Sequence, residues 1–216
     1  MPQLFRAYAD TLVRCVLVAI VVVPVLAIGV AYWVSASEHM TGRTLVMDQP
    51  VPFSHAHHVG GLGLDCRYCH TSVETSATAG IPPTHICMTC HSQLYTQAAM
   101  LAPIRESLAS GKPIHWKVNK LPDYVYFDHS IHIAKGVGCT TCHGPVASMP
   151  LMRQDAPLTM GWCLDCHRNP APNLRPPSAI FDPHWQFPSD EVQRAVILAH
   201  RYLDNQHLTD CSVCHR

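Results

Sequence analysis

The 216-residue sequence predicts a mostly irregular domain with short helices, carried behind one N-terminal transmembrane helix, and three observations predict it. Aromatic side chains make up only 7% of the chain, while metal-ligating residues abound, with 11 Cys and 16 His. One apolar run without charge stands near the N-terminus, and strand-like alternation is essentially absent. A core built from side chains alone is under-supplied, so something else has to fill the interior. Lys+Arg 15 balance Asp+Glu 15, which leaves no basic excess of the kind nucleic-acid binding requires. The 18 Pro and 11 Gly fall short of a disordered low-complexity composition.

The first element is the apolar run from Cys15 to Val34, CVLVAIVVVPVLAIGVAYWV, which is long enough to cross a hydrocarbon core. Arg6 and Arg14 precede it, and Tyr32 and Trp33 close it as interfacial anchors, so the N-terminus is expected in the cytoplasm and the rest outside it. Pro24 is tolerated in such a span. A cleaved signal peptide is the alternative, with Val34-Ser35-Ala36 as a passable cleavage site, but the run is long for one. Residues 1–34 are therefore expected to be an uncleaved inner-membrane anchor, with Cys15 as one of its small apolar side chains. A polar connector over 35–49 leads to a periplasmic domain over 50–216.

Ten of the cysteines fall into five copies of Cys-x-x-Cys-His. The copies are Cys66–Cys69–His70, Cys87–Cys90–His91, Cys139–Cys142–His143, Cys163–Cys166–His167 and Cys211–Cys214–His215. Composition alone would give about 0.04 such matches. Two thiols at this spacing reach the two vinyl groups of one haem, and the adjacent His then lies under the iron as its proximal ligand. Zinc knuckles, redox pairs and plain disulfides also use Cys-x-x-Cys, but none demands a His after every second Cys. Five covalently bound haem c groups are expected, which also places the domain outside the cytoplasm.

An internal repeat accompanies the motifs. Phe53-Ser-His55-Ala-His-His58 precedes Cys66, and Phe127-Asp-His129-Ser-Ile-His132 precedes Cys139. Each Phe-x-His-x-x-His element is followed by two haem motifs, so residues of about 53–91 and 127–167 form two dihaem modules, offset by 73–76 residues. Residues 200–216 carry the fifth site. The pattern resembles the corresponding element of class III multihaem cytochromes. That likeness implies class III-like haem packing, in which the first His serves the local iron and the second a neighbouring one. His55, His58, His129 and His132 are thus the expected distal ligands of four irons. For the fifth, Met149 ranks first, a thioether that would raise its haem's potential, and His200 second. Met160 is a further option. His57, His85, His115, His184 and His207 are weaker candidates or ordinary solvent-facing imidazoles.

Helical turns are expected at each motif, with an interrupted helix over 96–110 and a clearer one over 189–203. The Pro-rich stretch 169–188 reads as a loop wrapped over a surface, such as that of another subunit.

Irons with both axial positions filled relay electrons instead of binding substrate, so no catalytic site is expected in the chain itself. The stretches PVPFSHAHHVGGLGLDCRYCHTSVETSATAGIPPTHICMTCH, LPDYVYFDHSIHIAKGVGCTTCHG and MGWCLDCHRNP resemble the pentahaem subunit of bacterial alternative complex III. The resemblance implies a quinol-oxidising respiratory complex. Its partners would be an iron–sulfur subunit related to molybdopterin enzymes, polytopic quinol-binding membrane subunits and a monohaem cytochrome c. A periplasmic cytochrome c or blue-copper protein would accept the electrons. Two rivals remain: a self-contained single-span quinol dehydrogenase, like the partners of nitrate and nitrite reductases, and a catalytic multihaem reductase with one five-coordinate iron.

Overall fold

The computed structural model describes residue 6, residues 8–191, residue 195 and residues 207–215. It divides into two units, residues 1–43 and 44–216.

The first unit is one helix, Ala9–Ser35, followed by the short helix Glu38–Thr41. The long helix begins six residues before the apolar run, because Asp10 and Arg14 pair at 2.9 Å one turn apart and carry it back toward the N-terminus. It continues through Pro24. Its apolar side chains are exposed all round. At about 1.5 Å per residue it is long and apolar enough, by length and composition, to cross a bilayer.

The second unit is helical and irregular, with no strand among the described residues. Two isolated antiparallel bridges, Val46 with Arg153 and Val137 with Leu174, are its nearest approach to sheet. The last part of the polar connector is docked onto this unit. Thr44 N–H donates to Gln154 C=O at 2.8 Å. The Gln49 side chain bonds both the Lys117 carbonyl, at 2.8 Å, and its N–H, at 3.0 Å.

The helix expected over 96–110 is interrupted as the sequence suggests. A 3-10 turn, Ala99–Leu101, leads into the helix Ala102–Ser110, whose first turn holds Pro103, and Gly111 ends it at φ 68. The helix expected over 189–203 lies largely outside the described residues, as does His200.

Side-chain cores are small. Val51, Leu101 and Ile104 form one cluster, on which Cys87, Met88 and Trp116 pack. Val73, Ile133 and Ile180 form another, joining residues of both repeat modules. The stretch 169–188 is indeed a loop, with 3-10 turns at Ala171–Asn173 and Pro177–Ala179, and it straps over the chain's own modules. Arg175 anchors it. Buried at 4% exposure, its guanidinium donates to Asp182 C=O at 2.9 Å, to Ala179 C=O at 3.4 Å and to the Thr140 hydroxyl, and it lies 4.9 Å over the Trp185 ring. A Cβ on Gly138 would run into that guanidinium, so only glycine leaves it room.

Candidate haem centres

Each Cys-x-x-Cys-His motif starts on a short helical turn: Cys66–Cys69, Thr84–His91, Cys139–His143, Met160–Arg168 and Cys211–Cys214. The turn places the two sulfurs one helical step apart, with the His at or just past its end. Asp65 opens the first motif by accepting from Arg67 N–H at 2.8 Å, and the Arg67 guanidinium holds its carboxyl below the usual range.

The two Phe-x-His-x-x-His elements fold alike. Phe53 stacks on His58 at 4.4 Å, and Phe127 stacks on His132 at the same 4.4 Å. The edge contacts Phe53–His55 and Phe127–His129 are both 4.8 Å. The second His of each bonds through Nδ1 to the carbonyl four residues back, His58 to Ser54 at 2.9 Å and His132 to Asp128 at 2.7 Å. A polar side chain bonds the backbone at the start of each turn. Asp128 accepts from Ser130 and Ile131 N–H, and Ser54 Oγ accepts from His57 N–H at 3.1 Å. The first element winds into a π-helical turn, Ala56–Gly61, and the second into the helix His129–Ala134.

These turns set imidazoles of the Phe-x-His-x-x-His elements opposite those of the Cys-x-x-Cys-His motifs. His58 faces His91 with ring centroids 6.2 Å apart, His129 faces His143 at 6.4 Å, and His132 faces His167 at 6.2 Å. An imidazole nitrogen bonds a first-row metal ion at about 2 Å, so two imidazoles on opposite sides of one ion have ring centroids about 6.3 Å apart. The observed spacings fit an iron between each pair. The ring planes differ by 5° at His129/His143, 28° at His132/His167 and 63° at His58/His91. Of the motif imidazoles, His70 acts most strongly on His55 electrostatically.

The tautomers fit as well. Nδ1 faces a backbone carbonyl in His70 (Gly80, 2.7 Å), His91 (Leu94, 3.2 Å), His167 (Leu208, 2.7 Å), His215 (Tyr124, 3.0 Å) and His129 (Ala77, 2.8 Å). A nitrogen facing a carbonyl carries the hydrogen, which leaves the Nε2 lone pair for a metal and raises its basicity. His55 departs from this rule, since its Nδ1 is buried without a partner. Burial first, then His70, His58 and His143, lowers its pKa to about 4. Burial and neighbouring imidazoles lower His143 and His132 too. Neutral imidazole is the ligating form, so each shift favours ligation.

The thiols are sheltered but reachable. Burial raises the pKa of Cys69, Cys87, Cys163 and Cys166, and lifts Cys142 to about 11. Met149 has no exposed surface, and its carbonyl accepts from Ala56 N–H at 2.9 Å, so it lies beside the first Phe-x-His-x-x-His element. His129 already faces His143, so the third motif's His has an imidazole opposite it. Among the other candidates, Met160 is exposed and His207 pairs with Asp210 at 3.1 Å on the surface. Sequence reasoning missed the orienting carbonyls of Ala77, Gly80, Leu94, Tyr124 and Leu208, because backbone groups leave no residue signature. It also passed over Ser54 and Asp128, which the helix-cap rule would have found.

Residues 125–216 match the family of cytochrome c7 and related cytochrome c. The chain is also 38% identical, over 98 residues, to the multiheme cytochrome c subunit of menaquinone reductase from Nitratidesulfovibrio vulgaris. That match covers 44% of this chain and 46% of the relative, so it spans about half the length of each.

Proposed function

We propose that the chain is a membrane-anchored pentahaem c-type cytochrome relaying electrons between a quinol-linked membrane complex and a periplasmic carrier. The observation that carries this is the set of opposed imidazole pairs at 6.2–6.4 Å, most with Nδ1 held by a backbone carbonyl. An iron gripped from both sides has no open position for a substrate, so its remaining chemistry is one-electron exchange. The proposed ligand sets are His70 with His55, His91 with His58, His143 with His129 and His167 with His132. His215 is the fifth proximal ligand, and Met149 the proposed thioether of the set. Cys66, Cys69, Cys87, Cys90, Cys139, Cys142, Cys163, Cys166, Cys211 and Cys214 hold the porphyrins, so reduction and reoxidation cannot release them.

Within this reading the chain serves as the pentahaem subunit of an alternative complex III. Its partners there are the iron–sulfur subunit, the polytopic quinol-binding subunits and a monohaem cytochrome c. The single helix offers no polar pocket for a quinone head group, so quinol chemistry belongs to the neighbours. A second reading reverses the flow: the relative's name makes it part of a menaquinone reductase, where electrons enter a quinone pool. Membranes containing the complex distinguish the two. In the first reading, added quinol reduces the haem bands and a soluble acceptor reoxidises them. In the second, a reduced periplasmic cytochrome fills the haems and a quinone analogue empties them. A high-spin signal that shifts with nitrite would instead mark a catalytic reductase and end the relay proposal.

A further inference from the structure

The repeat does more than supply ligands. Its two modules clasp each other through matching parts. Ser130, which follows the first His of the second element, donates its N–H to Ser76 C=O at 3.2 Å. Ala56, which follows the first His of the first element, donates its N–H to Met149 C=O at 2.9 Å. Ser130 lies 74 residues after Ala56, and Met149 lies 73 after Ser76, so these are the same bond made twice, in opposite senses. The clasp joins the element before each of the first and third haem motifs to the segment after the other. One loop also binds both motifs, with the Phe181 carbonyl 3.9 Å from Cys66 Sγ and the Arg175 guanidinium on Thr140.

Three other contacts place the remaining motifs. Tyr68, inside the first motif, bonds Thr89, inside the second, at 2.8 Å. Thr141 of the third motif lines one cleft with Asp165 and Cys166 of the fourth. His167 of the fourth is held by the Leu208 carbonyl just before the fifth, at 2.7 Å. We infer that the five sites are strung in the order second, first, third, fourth, fifth, so that electrons enter and leave at Cys87–His91 and Cys211–His215 and never at the first site. This deepens the relay reading and rests on it. Exposure supports it independently: of the ten motif cysteines, only Cys90 and Cys211 are exposed, one at each end of that order.

The test is an experimental structure of the haem-loaded full chain, by cryo-EM or by diffraction with iron anomalous signal, each iron identified by its cysteines. The four shortest iron–iron separations should be His91 to His70, His70 to His143, His143 to His167 and His167 to His215. A shorter separation from the His91 iron to the His143 iron than from the His70 iron to the His143 iron would overturn the order. So would a first-site iron at either end. Fewer than five bound tetrapyrroles would sink the relay reading and the order together. If the separations hold but quinol and soluble cytochrome both fail to exchange electrons with the haems in membranes, the order stands and the proposed donor and acceptor fall.

Discussion

Met149 is the proposed thioether ligand. A thioether stabilises ferrous iron more than an imidazole does, so an iron it served would have the highest potential in the chain. Met149→His should lower the top midpoint of a redox titration while the others move little; an unchanged titration removes Met149 from the ligand set. Ring orientation gives a second prediction. Parallel imidazole planes split the iron orbitals they overlap, whereas crossed planes leave them nearly degenerate. The 5° angle at His129/His143 and 63° at His58/His91 therefore predict a rhombic low-spin EPR signal from the third site and a more axial one from the second. His58→Met should erase the axial signal alone. Arg175 carries stability instead. Truncation to Ala leaves the buried Ala179 carbonyl, the Asp182 carbonyl and the Thr140 hydroxyl short of a donor, at a cost of about 3 kcal/mol in thermal unfolding. At this scale the motif residues were legible because spacing encodes them. Arg175 was not, since nothing in a Pro-rich stretch marks one arginine as buried.

The turns that hold the distal imidazoles are fragile, being only six residues each: Ala56–Gly61 and His129–Ala134. Their ends decide whether they form at all. Asp128 caps the second turn, and its bonds to Ser130 and Ile131 hold its pKa below the ordinary carboxylate value. The depressed folded-state pKa gives the sign: the cap stabilises above the unfolded value near 4 and is lost as pH falls through the lower, folded one. Asp128→Asn keeps an acceptor but removes the charge. Acid melts should thus show the wild type losing stability below about pH 4 more steeply than the Asn variant. The first turn meets its partner through Gly60, where a Cβ would run into the Ala147 carbonyl oxygen. A backbone atom cannot step aside, so Gly60→Ala is expected to cost about 1–3 kcal/mol and to broaden the first-site haem signals. Periodicity found neither turn, because six residues are too few to show a period. The duplicated spacing found both.

At the scale of the whole molecule, the small side-chain clusters account for little of the interior. Val51, Leu101 and Ile104 on one side and Val73, Ile133 and Ile180 on the other are small cores for so long a domain. Porphyrin faces are expected to supply the missing apolar surface, so chain prepared without haem should lack a cooperative thermal transition, and the loaded chain should have one. Circular dichroism of the two preparations decides it. Composition had already pointed to this, in many ligands and few aromatics. The order of the sites was hidden, because it depends on how one module turns to face the other, and no local pattern records that. The reciprocal bonds from Ser130 to Ser76 and from Ala56 to Met149 are the kind an isologous homodimer makes across its two-fold axis. Fusing both halves into one polypeptide replaces a concentration-dependent association with a permanently high effective concentration. It also frees each half to diverge alone, which a true homodimer can never do: where one half has Ser76, the other has a buried methionine.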